Sequence, residues 1–193
     1  MKIREHIFQL LQAQLGWIKS VDFAYNSAYY PVLNELIAEG KLEQVKKGLY
    51  KMINHEQNQD LDVAAKLYPQ GVVSMFSAWI YYGLVDDIPG LVHLSFPHKA
   101  KPTIYPYPPI KPYFWSQKYY KYGVVDHASF RIYDIERSVC DAVKFRNKIG
   151  MDIMEQVIKS YLKRSDRDIN KLLKYAAILR VENIITPYLQ MLL

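Results

Sequence analysis

With a single cysteine, Cys140, this chain of 193 residues can form no internal disulfide and no cysteine-based zinc site. That thiol is expected to lie buried on a helix. Long apolar runs are missing too, and none approaches the ~20 residues that span a bilayer. The first residues, MKIREHIFQLLQAQLG, lack an unbroken apolar stretch and carry Arg4, Glu5 and His6, so they do not read as a signal peptide. A cytoplasmic protein without a membrane partner is expected. There is no Gly-rich phosphate loop, no HExxH, no Gly-x-Ser-x-Gly and no Cys/His cluster. The chain is therefore read as non-enzymatic, with no cofactor and no metal.

Half the residues are hydrophobic and 23% are charged, a balance that supports packed cores rather than disorder. The length allows one large domain or two small ones. A net charge of +6 permits a nucleic-acid partner without demanding one. Residues 1–60 hold seven Lys/Arg and seven Asp/Glu, so the whole excess lies beyond residue 60.

The stretch Asn26–Ile53 changes period in its middle. Val32, Leu33, Leu36 and Ile37 recur at helical spacing until Gly40. Leu42, Val45, Leu49, Met52 and Ile53 then sit among polar residues in two short extended runs, with Lys46-Lys47-Gly48 as the bend between them. Before it, one helix is expected from Lys2 to Gln14 and a brief second from Ser20 to Tyr25; the third starts at Ser27 or at Pro31. A short helix, a Gly stop and a basic-tipped hairpin describe the recognition helix and wing of a winged helix-turn-helix. Residues 1–54 form that domain, the polar run 54–60 links it onward, and His55 is a loop histidine. On duplex DNA, Ser27, Tyr29, Tyr30 and Asn34 would face the major groove, with Lys41, Lys46, Lys47 and Lys51 on phosphates. The helix itself contains no Lys or Arg, and Glu35 and Glu39 would have to face away.

Residues 60–193 read as a mixed α/β domain with a helical tail, giving an α+β chain overall. Helices are expected at Leu61–Tyr68 and Phe76–Tyr82, and an alternating strand at Leu91–Phe96. From Pro97 to Pro112 six prolines mark irregular or extended chain that could cross a sheet edge. Phe114–Gln117 and Gly123–Tyr133 supply further strands. From Asp134, a good N-cap, the pattern is helical to the end, with Met151–Leu162, a helix capped by Ser165–Asp168, and Glu182–Leu192 kinked at Pro187.

Acidic groups that could serve a metal-dependent enzyme are Asp86-Asp87 in a turn, and Asp134, Glu136 and Asp141. Capping accounts for Asp134 and Glu136, and Asp141 is expected near the solvent side of its helix. The run IYPYPPIKPYFWSQKYYKYG interleaves aromatics with Lys111, Lys118 and Lys121. Such a run can stack bases, or its rings can pin proline-rich chain to a sheet; the second is favoured here, because that chain lacks ladder hydrogen bonds.

Three blocks carry a family likeness: AEGKLEQVKKGLY; LYPQGVVSMFSAWIYYGLVDDIPGLVHLSFP; and FRIYDIERSVCDAVKF, trailed by LLKYAAIL. In this order they cover most of the chain, and together it resembles the AbiEi antitoxins of type IV toxin–antitoxin and abortive-infection (phage-defence) systems. The resemblance implies a winged helix joined to a C-terminal α/β antitoxin domain. It implies a transcriptional repressor that binds inverted repeats upstream of its own operon. It also implies neutralisation of an AbiEii-type nucleotidyltransferase toxin, with both domains offering positive surface to DNA. Relatives often carry arginines on the recognition helix, and this chain does not, which bears on which side chains read bases. Two other readings stay open: a winged helix used for protein contacts, and a transcriptional regulator without an antitoxin role.

Overall fold

The computed structural model describes residues 2–53, 60–86, 90–127 and 129–192. The expected linker with His55, and Asp87 of the acidic turn, lie outside them. The chain divides into two compact units, Met1–Gln59 and Asp60–Leu193, and is α+β throughout.

In the first unit the order is α1 (Ile3–Ala13), β1 (Trp17–Lys19), a 3₁₀ turn (Ser20–Phe23), α2 (Tyr29–Ala38), β2 (Leu42–Lys46) and β3 (Leu49–Met52). Strand β1 was not anticipated, since three residues are too few to show a period. It pairs antiparallel with β3, which also pairs antiparallel with β2, so β3 is central. Ile7 and Leu11 of α1, Leu33 and Leu36 of α2, and Ile18, Leu42 and Tyr50 of the strands share one core. The expected second helix is only a 3₁₀ turn, because Ala24 and Tyr25 turn to positive φ and end it. Helix α2 starts at Tyr29, after Asn26 Oδ1 accepts from the Ala28 N–H at 3.0 Å. Pro31 thus sits in the first turn, where its missing N–H would have had no partner.

The hairpin turn falls at Lys47-Gly48. Gly48 takes φ +74°, and a Cβ there would approach Ser20 Oγ to 3.1 Å, so the turn closes tightly against the 3₁₀ segment. One extra residue, Val45, interrupts the register just before the turn, a bulge that adds twist.

In the second unit α3 (Asp60–Leu67), β4 (Val72–Val73), α4 (Met75–Tyr81), β5 (Val92–Pro97), β6 (Ile110–Trp115), α5 (Gln117–Tyr120), β7 (Val124–Asp126) and β8 (Arg131–Tyr133) precede four helices. Those are α6 (Ile135–Ile149), α7 (Met151–Leu162), α8 (Ile169–Leu179) and α9 (Glu182–Leu192). The sheet order is β6-β5-β4-β8-β7, parallel for β5/β6 and β4/β8 and antiparallel elsewhere. The strand expected at Phe114–Gln117 is instead the end of β6 followed by the short α5. Pro112 lies within β6, which is an edge strand and tolerates a residue without an N–H. The alternation along β5 does not mark a solvent face. The strand is interior, and His93 and Ser95 are as buried as Val92, Leu94 and Phe96.

His93 shows what that burial costs. Its ring stacks on Tyr113, whose hydroxyl lies 3.0 Å from Nδ1, and burial with Lys111 nearby depresses its basicity to about 4. The unfolded chain takes up a proton below about 6.5 while the folded chain stays neutral, so stability is lost as pH falls between those values. Urea unfolding between pH 7 and pH 4 should show the wild type losing up to about 3 kcal/mol more than His93→Phe. Parallel pH profiles for the two proteins would refute this assignment.

Candidate nucleic-acid interface

The eight residues that the sequence points toward DNA divide into two sets. Ser27, Asn34 and Lys47 are exposed, and Lys46 is half-buried at the hairpin turn. The other four have partners in the unit, although Lys41 is itself exposed. Tyr29 stacks on Phe23 at 4.7 Å between centroids, and its hydroxyl is 2.6 Å from His6 Nδ1. Tyr30 meets Phe23 edge-on. Lys41 pairs with Glu39 at 2.8 Å, and Lys51 pairs across the strands with Glu43 at 3.3 Å.

Glu39 is the acid at the end of α2, and it is not bare. Arg4 of α1 grips it with two hydrogen bonds, at 2.9 and 2.5 Å, while Lys41 approaches from the other side. The Arg4 hydrogen bonds, then that of Lys41, pull its carboxyl down to about 2. Its charge is matched by cations of the same unit. Glu35, exposed on the same helix, has no such clamp among the described residues.

Three further residues join the surface beside the hairpin turn: Lys19, Val21 and Tyr25. The Ser20 N–H donates to the Gly48 carbonyl at 3.0 Å, and the Tyr25 N–H donates back to the Ser20 carbonyl at 2.8 Å. Ser20 therefore joins the lysine turn to the loop before α2. Only pairing of Lys19 with Leu49 across β1 and β3 sets this up, a long-range register with no local sequence signal.

In the second unit Asp134, Glu136 and Asp141 are bound to the protein itself, while Asp86 is exposed. Asp134 caps α6 through Oδ1, which accepts from the Arg137 N–H at 2.9 Å. Its Oδ2 accepts from the Tyr175 hydroxyl at 3.0 Å and lies 3.1 Å from Lys171 Nζ. Glu136 meets the same ammonium at 2.9 Å and accepts from the Tyr161 hydroxyl at 3.2 Å. Asp141 is not on the solvent side. It is fully buried and accepts from Arg137 Nε at 2.8 Å, because α6 is enclosed on every side from Glu136 to Val143. Among the described residues no three His, Cys, Asp or Glu side chains are grouped to hold a metal ion. Cys140 is buried too, which raises its thiol out of the reactive range.

Arg137 itself has no solvent exposure. Its guanidinium lies over Tyr133 at 4.2 Å and Trp115 at 4.6 Å, and Nη1 donates to the carbonyls of Tyr119 (2.7 Å) and Tyr122 (3.1 Å). Nη2 has no hydrogen-bond partner among the described residues, so the two ring faces carry its remaining compensation. Gly123 (φ +73°) lets that segment lie so close, since a Cβ would come within 2.6 Å of Arg137 Cβ.

The aromatic-basic stretch mostly anchors chain. Tyr113 binds His93, Trp115 Nε1 donates to Ser95 Oγ at 3.1 Å, and the hydroxyls of Tyr107 and Tyr120 donate to Asp60 and to the Gln70 carbonyl. The Tyr105 N–H donates to the Tyr68 hydroxyl at 3.0 Å, and these two residues with Phe96 and Lys101 line a half-open pocket of about 280 Å³. Lys118 and Lys144 both lie near the Tyr119 ring, at 5.7 and 6.0 Å. No protein-family model matches the sequence, and no curated protein matches it.

Burial lifts the Asp141 carboxyl to about 6 while Arg137 pulls it back, which leaves it ionised at neutral pH beside a guanidinium that does not deprotonate. Arg137→Met and Asp141→Asn should each destabilise the second unit by roughly 3–5 kcal/mol, since each strands a buried charge. The double variant should lose markedly less than the two combined. Denaturant unfolding of all four proteins measures the coupling, and strict additivity would show that the pair is not coupled.

Proposed function

We propose that the first unit is a winged helix-turn-helix that docks on duplex DNA, in a protein that acts as an antitoxin and represses its own operon. The observation that carries this reading is the arrangement of the first unit. A helix, a strand, a turn and a second helix lead into an antiparallel hairpin whose turn carries Lys46 and Lys47. Asn34, on the exposed side of α2, and Ser27, in the loop just before it, face the groove, with Asn34 suited to the N6/N7 edge of adenine. Lys46 and Lys47 lie on phosphates. Glu39 does not oppose docking, because Arg4 and Lys41 match its charge.

The antitoxin role follows from the likeness to AbiEi antitoxins, whose Asp-x-Glu-Arg-Ser block here is the start of α6. In the second unit that block builds the core: Asp134, Glu136 and Arg137 tie α6 to α8, α7 and the segment before β7. The partner is then the nucleotidyltransferase toxin encoded alongside. A second reading has one specific observation in its favour. Helix α2 has no Lys or Arg and exposes Glu35, which suits a protein contact better than a phosphate backbone.

Each phosphate contact contributes about 0.9 to the slope of log K against log salt on B-DNA. Lys46→Ala with Lys47→Ala should weaken binding equally on the operon's upstream DNA and on unrelated duplex, and lower that slope by about 1.8. Gel-shift titrations at several salt concentrations read this out; unchanged affinity and slope would remove the wing from the interface. A wild type without preference for the upstream DNA would favour the protein-contact reading. Coexpression of the full chain with the neighbouring toxin gene should restore growth, and continued arrest would remove the antitoxin half.

A further inference from the structure

Two consecutive non-glycine residues, Ala24 (φ +50°) and Tyr25 (φ +54°), hold left-handed backbone in the loop before α2. Glycine adopts that conformation without penalty, whereas residues with a Cβ do not. The loop is nevertheless tightly fixed. Ala24 N–H donates to the Val21 carbonyl at 3.0 Å, Tyr25 N–H to Ser20 at 2.8 Å and Asn26 N–H to Phe23 at 3.0 Å. What this strained, rigid loop presents is a tyrosine 65% exposed, beside Val21 at 57%. Among the described residues, the Tyr25 hydroxyl has no hydrogen-bond partner and its ring no aromatic neighbour. A side chain with so few contacts among the described residues of its unit, at a position where glycine would fit better, is placed for something outside it.

The surroundings favour one occupant. The Ser20 N–H binds the Gly48 carbonyl, so the loop adjoins the Lys46-Lys47-Gly48 turn, and Lys19 leads into it. The one acid from Lys19 to Asn26 is Asp22, whose Oδ2 accepts from the Lys19 N–H at 2.6 Å. The surface is thus an exposed aromatic whose hydroxyl has no partner among the described residues, on a loop that adjoins the lysine turn. Such a surface matches a polyanion with apolar sugar faces better than it matches a neutral or basic protein.

We infer that Tyr25 is a preset anchor for the sugar–phosphate backbone of duplex DNA, with its ring against a deoxyribose and its hydroxyl donating to a phosphate. Together with the hairpin lysines it fixes the docking angle of α2. This rests on the DNA-docking reading above.

The test is fluorescence anisotropy with the full chain, on the upstream duplex and on an unrelated duplex of equal length, at several salt concentrations. Tyr25→Ala should weaken both by roughly five- to tenfold, the scale of one hydrogen bond with a packed ring face. The salt slope should stay as in the wild type, because a phenol displaces no counterion. Tyr25→Phe should lose only part of that affinity. Tyr25→Gly should raise Tm, by releasing the left-handed strain, and yet bind as poorly as Tyr25→Ala. Wild-type affinity in Tyr25→Ala would overturn the anchor while leaving DNA docking intact. A loss confined to the upstream duplex would overturn it in favour of base reading. A Tyr25→Gly protein that loses stability along with affinity would make the residue structural. A wild type that binds neither duplex would overturn the docking reading and the anchor with it.

Discussion

A guanidinium cannot shed its proton to enter a core, so wherever Arg137 goes the second unit must compensate a full charge. The compensation comes from several parts of the chain at once: Asp141 one turn on along α6, the carbonyls of Tyr119 and Tyr122, and the rings of Tyr133 and Trp115. Each partner belongs to a different element, so satisfying Arg137 sets where α5, the end of β6 and the end of β8 lie relative to α6. Gly123 then becomes a steric requirement, since any side chain there would collide with the aliphatic stem of Arg137. Lys171 performs a similar task nearer the surface. Burial alone would lower its basicity, but hydrogen bonds to Glu136 and Asp134 more than offset that and hold the ammonium charged, which binds α8 to the start of α6. Hydrophobic packing fills the space between these contacts, and the charged contacts choose the register.

This explains which parts of the fold could be read from residues alone. Helices α7, α8 and α9 each bury one face and expose another, so the 3.6-residue period located them closely. Helix α6 broke that logic, because a helix enclosed on all sides has no solvent face on which to place an acid. Periodicity alone points Asp141 toward water, whereas burial of Arg137 beside it holds it in the core. Strand β5 failed for a related reason. Its alternation of His93 and Ser95 with apolar residues resembles a half-exposed strand, yet the two polar side chains are buried and meet Tyr113 of the neighbouring strand and Ser74 at the start of α4.

In the first unit the hairpin and α2 were legible because Gly40, Gly48 and the apolar spacing are local signals. Strand β1 and the surface it creates were not. Three residues carry no period, and the juxtaposition of Lys19, Tyr25 and the Lys46-Lys47 turn arises only when β1 pairs with β3. The candidate interface was therefore half visible. Its basic tip could be named from the sequence, but the stacking of Tyr29 on Phe23 and the ion pairs of Lys41 and Lys51 required the packed unit.

Those engagements bear on how a nearly neutral head could hold a polyanion. Residues 1–60 carry equal numbers of acids and bases, and an acid at the end of α2 would repel phosphates if left bare. Arg4 and Lys41 match Glu39, and Lys51 matches Glu43, while α2 itself carries no Lys or Arg and the hairpin carries Lys46 and Lys47. A single basic tip supplies few counterion-releasing contacts, and few contacts mean weak attachment with a shallow salt dependence. Orientation must then come from contacts that do not depend on charge, which is the role a rigid exposed aromatic beside the lysines can fill. Under the proposed docking, further affinity comes from the excess of positive charge beyond residue 60. On this reading the head sets where and at what angle the protein docks, and the second unit sets how tightly.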